Sequence, residues 1–295
     1  MNDPDALHRF LFQRLGIRGN LVHLDASWRA VLDAHPYPAP VRALLGEALA
    51  AVSLLAATIK LDGSLILQAQ GSGPLRTLVA QATSARTVRG LARWEGDVPE
   101  QGDLAALFGE GRLVLTIERG RGEPYQGIVP LAGSNLTTAI ERYFRDSEQL
   151  PTRLWLAADT RRAAGLLLQR LPAAPTSTVA PADDDWIRLG LLGDTLGPDE
   201  LISLPTTDLL HRLFHEDTLR LFEAEPLAFR CGCSRGRIDD MLRALGETDA
   251  MDIVAEQGAI EVTCEFCNRV YRLDAVDAGQ IFAEISRHET PPAHH

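Results

Sequence analysis

The chain has 295 residues, 45% of them hydrophobic and 23% charged, with 29 basic against 40 acidic side chains and a formal net charge of −11. At roughly 150 residues per domain, that length allows about two domains, each able to bury a core, and the ordinary composition excludes collagen, coiled coil and wholesale disorder. The acidic balance argues against a broad surface for nucleic acid or anionic membrane.

The first residues, Met1-Asn-Asp-Pro-Asp, are acidic, with no basic region and apolar run to mark a signal peptide. Val41 to Ile59 is rich in Ala and Leu and follows Pro36, Pro38 and Pro40, which close off the preceding segment. Its uncharged stretch, Ala48 to Ile59, is 12 residues long, whereas a membrane span needs about 20, so a helix packed into a core is expected. The expected setting is the cytoplasm, where thiols stay reduced. Ser64 to Gln70 and Leu113 to Glu118 are short apolar runs ending near glycine-rich turns, as strands do. Gly71-Ser-Gly73 follows the first of them but lacks the third glycine and the GK[ST] ending of a phosphate loop, so a turn is expected. Asn135-Leu-Thr matches a glycosylation acceptor. Asn135 serves better as the cap of a helix whose Leu136, Ile140, Tyr143 and Phe144 share one face. Arg153 to Ala157 and Gly165 to Leu171 are further strand candidates. Strands and helices do not alternate strictly, so the class is α+β, with a mixed sheet-and-helix N-terminal domain.

Charge is spread unevenly. Residues 1–182 carry 19 basic and 17 acidic side chains, residues 183–225 carry 3 and 11, and residues 226–295 carry 7 and 12. A low-charge stretch rich in Pro, Ala and Thr, Leu171 to Ala182, predicts an extended connector. The acidic region after it is no plain solvated tail, because Trp186, Leu189, Leu201, Leu209, Leu213 and Phe214 are among the large apolar residues dispersed through it. It predicts a helical acidic linker of short amphipathic helices lying on a neighbour, marginally stable because its like charges repel. His211 and His215 are four residues apart, a spacing that can hold metal, but without HExxH they are expected on a helix surface or interface. The run Asp183-Asp-Asp185 is expected to be solvated rather than cation-binding.

The chain has four cysteines, all within 37 residues: Cys231-Gly-Cys233 and Cys264-Glu-Phe-Cys267, separated by 30 residues. In an extended segment, residues i and i+2 point the same way, so the first pair can offer both sulfurs to one ion. The second pair has zinc-knuckle spacing between strand-like Ile260-Glu-Val-Thr and Val270-Tyr-Arg-Leu, which places it at a hairpin tip. Between the pairs, Ser234 can cap a helix bearing Ile238, Met241, Leu242 and Leu245, stopped by Gly246. The expectation is one Zn2+ held by the four thiolates at about 2.3 Å, with no open position for substrate. Such an ion could simply staple a small domain with a thin core. Against that, a CxC pair is uncommon in inert sites. Arg230, Arg235, Arg237, Arg269 and Arg272 also flank the cysteines, and positive charge favours the thiolate that oxidants attack.

With this pattern the sequence resembles the bacterial redox-regulated chaperones of the 33-kDa heat-shock protein family. Further segments carry the likeness: Leu7-His-Arg-Phe-Leu-Phe, Tyr37-Pro-Ala-Pro-Val, Gln70-Gly-Ser-Gly-Pro, Arg89-Gly-Leu-Ala-Arg, Tyr125-Gln-Gly, Ser147-Glu-Gln-Leu-Pro-Thr-Arg, Phe214-His-Glu-Asp and Phe229-Arg-Cys-Gly-Cys-Ser-Arg. The resemblance implies an ATP-independent holdase that is off when reduced and zinc-bound. It implies that oxidative unfolding forms Cys231–Cys233 and Cys264–Cys267 disulfides and frees the metal, so that unfolded client proteins are gripped by an oxidised homodimer. The expected division is a client-binding and dimerisation domain over 1–175, a metastable acidic linker over 176–228, a small zinc switch domain over 229–288 and a tail over 289–295. No nucleic-acid or membrane partner and no enzymatic activity are expected. Two rivals are a thiol-disulfide oxidoreductase using Cys264 and Cys267, which needs its CxxC at a helix N-terminus after a strand, and a zinc-ribbon nucleic-acid binder, which needs a basic domain.

Overall fold

The computed structural model describes residues 5–100, 102–120, 122–131, 135–172 and 183–288. Most of the expected connector, and the tail over 289–295, lie outside the described residues. Contacts divide the chain into two units, Met1–Arg230 and Cys231–His295.

The first unit begins with β1 (Ala6–Phe12), β2 (Ile17–Leu24), α1 (Ala26–Leu32) and α2 (Ala39–Ala56). Next come β3 (Gly63–Gly71), β4 (Leu75–Thr83), β5 (Thr87–Trp94), α3 (Leu104–Phe108), β6 (Gly111–Arg119) and β7 (Tyr125–Pro130). After α4 (Leu136–Tyr143) and a π-helical turn at Phe144–Glu148 lie β8 (Thr152–Ala158) and β9 (Ala163–Arg170). The acidic segment supplies α5 (Asp183–Asp194), α6 (Pro198–Ser203) and α7 (Thr206–Phe214), then β10 (Leu219–Leu221), β11 (Glu225–Pro226) and β12 (Ala228–Phe229). One six-stranded sheet runs β10-β1-β2-β9-β8, with β11 also on β1; the other runs β12-β5-β4-β3-β6-β7. All pairings are antiparallel except β12 with β5.

Helix α2 begins after Pro38, with proline in its first turn, and buries residues all round its circumference. Length and apolar composition alone would let it cross a membrane, but 72% of it is buried, because it is the layer between the two sheets. Leu7, Val22 and Leu24 of the first sheet and Leu65, Leu67 and Leu78 of the second join it in one core. The opposite face of the first sheet forms a second core: Phe10, Phe12, Ile17, Leu21, Leu166 and Leu168 pack under Leu189, Leu201, Leu209, Leu213 and Phe214 of α5–α7. Strands covered on both faces carry apolar residues at every position rather than alternately, and β9 is buried at seven of its eight residues. The far end of the Phe10 ring lies against Gly19 of β2, where an added Cβ would sit 2.0 Å from its Cζ, so only glycine fits there.

The short amphipathic helices expected in the acidic segment are present, and their carboxylates do more than repel. Arg188 grips Asp217 through two hydrogen bonds of 2.7 and 3.0 Å. Arg153 reaches Asp194 at 2.6 Å, and Arg170 reaches Asp183 at 2.6 Å. Glu225 receives both Arg9 and Arg86. Aspartates in the first turn of α5 also meet the positive end of the helix dipole.

The second unit contains α8 (Arg235–Leu245), α9 (Glu247–Gln257), β13 (Ile260–Thr263), β14 (Val270–Leu273) and α10 (Ala275–His288). Its core is small: Ile238, Leu242, Val254, Ile260, Leu273 and Phe282 are its large buried members.

Candidate metal centre

The two cysteine pairs are delivered by local geometry of different kinds. Cys231 and Cys233 lie in the irregular segment just before α8, whose start is fixed by Ser234: its Oγ accepts from the Arg237 N–H at 3.3 Å. The helix ends at Gly246, with φ 102°. Cys264 and Cys267 occupy the turn of the β13–β14 hairpin, in the Thr263↔Val270 register. The Cys264 N–H donates to the Arg269 carbonyl at 2.9 Å and the Asn268 N–H to the Cys264 carbonyl at 2.7 Å, with Asn268 in the left-handed region at φ 55°. This is the tight knuckle that the spacing predicts, and the CxxC is not at a helix N-terminus. The arrangement that a thioredoxin-like oxidoreductase needs is therefore not met.

All four cysteines are free and half-buried, and their sulfurs lie within 4.8 Å of one another. Cys231 Sγ is 3.4 Å from Cys264 Sγ, and Cys233 Sγ is 3.4 Å from Cys267 Sγ. A tetrahedron of sulfurs at 2.3 Å from a central zinc has edges of about 3.8 Å, so the donor set has the size and softness for a four-coordinate thiophilic cation. Among the described residues this is the group of side chains placed to hold a metal ion.

Electrostatics within the cluster point the same way. Burial pushes the Cys231 thiol up to about 12, against an opposing backbone N–H of Cys233. Burial also raises Cys267, opposed by the backbone N–H of Arg269. At Cys233 burial pushes upward too, but the Tyr271 hydroxyl, donating at 3.2 Å, and the neighbouring thiols outweigh it and bring the group down to about 7. Four crowded thiols thus place negative charge on one sulfur and withhold it from others, as like charges must. Cys231, Cys233, Cys264 and Cys267 would be relieved of that conflict on holding a divalent cation, since coordinated thiols are deprotonated. Tyr271 was not legible as a site residue, since a tyrosine in a strand ordinarily serves packing.

The flanking arginines are partly neutralised. Arg235 pairs with Asp239 and Asp277, both at 3.0 Å, and Arg272 with Glu261 at 3.5 Å. His211 and His215 stand exposed on and just after α7, ring centroids 5.7 Å apart, outside the cysteine group. Gly71–Gly73 forms a turn in which the Gly73 N–H donates to the Phe108 carbonyl. Asn135 caps α4, accepting from the Thr138 N–H at 2.9 Å.

Comparison with known proteins gives a consistent result. The family model described as Hsp33 protein matches residues 5–274. The 33 kDa chaperonin of Nitrosococcus oceani is 58% identical over 284 residues, covering 96% of both chains. Those of Pseudomonas paraeruginosa and Methylobacillus flagellatus are 48% and 45% identical, again over 96% of each chain. The crystal structure of the 33 kDa chaperonin of Thermotoga maritima shares the fold at a TM-score of 0.83 and 22% identity, covering 96% of this chain and 99% of that one. With a family match spanning both units and a relative more than half identical along nearly its whole length, the chain belongs to the Hsp33 family, and its role is that of a chaperone.

Proposed function

We propose that the protein is a redox-regulated, ATP-independent holdase, inactive when Cys231, Cys233, Cys264 and Cys267 hold one Zn2+ as thiolates. When bound, zinc supplies a closed tetrahedral centre and roughly 10–16 kcal/mol of apparent folding free energy to a small domain. The observation that carries the reading is the cluster of four free sulfurs within 4.8 Å of one another, borne by a unit with a thin core. Peroxide oxidises each near-neighbour pair. Two thiolates lose two electrons, one S–S bond forms between Cys231 and Cys233 or between Cys264 and Cys267, and the peroxide takes those electrons with two protons from solvent, its O–O bond breaking to leave two waters. A disulfide sulfur is a poor metal ligand, so both oxidations dismantle the donor set.

Loss of order after Arg230 then frees the end of the acidic segment. Its remaining anchors are the short edge strands β10, β11 and β12, apolar contacts and arginine–carboxylate pairs, all of which heat or denaturing oxidants weaken. Departure of α5–α7 uncovers Phe10, Phe12, Ile17, Leu21, Leu166 and Leu168, a continuous apolar face of the size and character that binds unfolded chains. A second copy of the oxidised chain enlarges that surface. The function is binding rather than catalysis, and it is exercised in the cytoplasm.

The test uses purified reduced protein. Bound zinc is measured, the sample is treated with peroxide at raised temperature or with hypochlorous acid, and zinc release is followed beside light scattering from an unfolding client. One equivalent of zinc lost together with suppressed scattering supports the reading. Zinc retained under oxidation, or equal activity in both states, overturns it.

A further inference from the structure

The sulfurs of the cluster receive hydrogen bonds of two kinds. Cys231 takes one from the Cys233 backbone N–H and Cys267 one from the Arg269 backbone N–H, and backbone donors of this sort come with the turn itself. Cys233 takes one from a side chain, the Tyr271 hydroxyl, at 3.2 Å. Tyr271 lies on β14 directly opposite Val262 of β13, and its half-buried ring packs against the small core of this unit. The strand register therefore fixes the ring, and the ring carries the hydroxyl across to the sulfur of the other cysteine pair.

The hydroxyl is also oriented. Arg269, exposed at the end of the knuckle, hydrogen-bonds the same oxygen. A guanidinium offers donors and no acceptor, so the tyrosine oxygen accepts from Arg269 and its own proton is left for Cys233 Sγ. Arg235 and Arg272 direct their charge at carboxylates instead. A sulfur that holds a metal still has lone pairs for an outer donor. Such a donor orients the ligand and damps its charge, and loss of an outer partner typically costs about 10- to 100-fold in metal affinity.

We propose that Tyr271, oriented by Arg269, is a positioning residue of the metal centre: its hydroxyl holds the Cys233 sulfur at its corner of the donor set and so governs how firmly the ion is kept. The proposal rests on the reading of Cys231, Cys233, Cys264 and Cys267 as a zinc centre.

The test compares reduced, full-length protein with Tyr271→Phe, which keeps the ring and its packing and removes the hydroxyl. Zinc affinity is read by competition with a chromophoric chelator, and the state of the thiolates by the absorption of the cobalt(II)-substituted protein. The parent is expected to bind one Zn2+ per chain, and Tyr271→Phe to bind it about tenfold more weakly. The sulfur-to-cobalt charge-transfer band of the variant is expected at longer wavelength, because a thiolate that loses a hydrogen bond gives up its electrons more easily. Val262→Ala controls for simple loosening of the hairpin and is expected to leave the band at the parent position. Arg269→Met is expected to weaken zinc binding in the parent and to add nothing in the Tyr271→Phe background, since it acts through the hydroxyl. Unchanged affinity or an unmoved band in Tyr271→Phe, an equal band shift in Val262→Ala, or additive losses in the double variant would overturn the proposal and leave the zinc reading standing. A parent that binds no zinc overturns both.

Discussion

Glu47 is the one acidic residue of α2, and burial pushes its carboxyl up to about 7 from an ordinary 4.5. A carboxyl whose pKa is raised by folding favours the native state in its protonated form. Its contribution is complete below about pH 4.5 and is lost as the pH rises through 7. At about 1.4 kcal/mol per pKa unit, the swing is on the order of 3 kcal/mol. Glu47→Gln is therefore expected to melt higher than the parent at pH 8 and to flatten the difference between pH 5 and pH 8, measured by thermal denaturation. Other residue-scale features were legible because they are local. Asn135 and Ser234 each accept from the backbone N–H three residues on, and that relation depends on nothing outside one turn of helix. Glu47 and Tyr271 were not, since one is carried on a helix packed between two sheets and the partner of the other lies 38 residues away.

At the scale of elements, legibility followed burial pattern. The expected strands over 64–70, 113–118, 153–157 and 165–171 correspond to β3, β6, β8 and β9, and the expected helices to α2, α4 and α8. β1, β2, β4, β5 and β7 were not anticipated. In β2 the reason is visible: Asn20 donates to the Leu54 carbonyl of α2 and His23 hydrogen-bonds the Leu201 carbonyl of α6. Its polar residues thus serve buried layers above and below, and no alternation survives to be read. The packing of α7 gives a test. Phe214 meets Phe12 edge-on at 5.2 Å and Phe10 at 6.4 Å, and it is 1% exposed. Phe214→Ala is expected to cost about 3–5 kcal/mol. It should speed amide exchange in α5–α7 more than in β3, β4 and β6, which do not touch the ring, and uniform exchange across the first unit would contradict this local view.

For the whole molecule, the decisive quantity is how little apolar core the second unit holds. A unit of this size has only a few kcal/mol of its own, far less than a zinc ion on its four cysteines would supply. Chelating the metal from reduced protein is expected to strip amide protection from residues 231–283 while β3, β4 and β6 keep theirs, as read by hydrogen exchange. Protection that survives chelation would show that the sulfur cluster needs no ion. The sequence alone determined the four-sulfur donor set, its knuckle, the helix between the pairs and the acidity of residues 183–225, because each depends on residue identity or on spacing within a few turns. Only the tertiary structure decided that Tyr271 donates to Cys233, that arginines of the first region neutralise the acidic segment, and that this segment packs on the first sheet opposite α2. Those outcomes rest on contacts between residues tens to hundreds of positions apart, where local propensity carries no information and only the burial of one apolar face against another selects the partner.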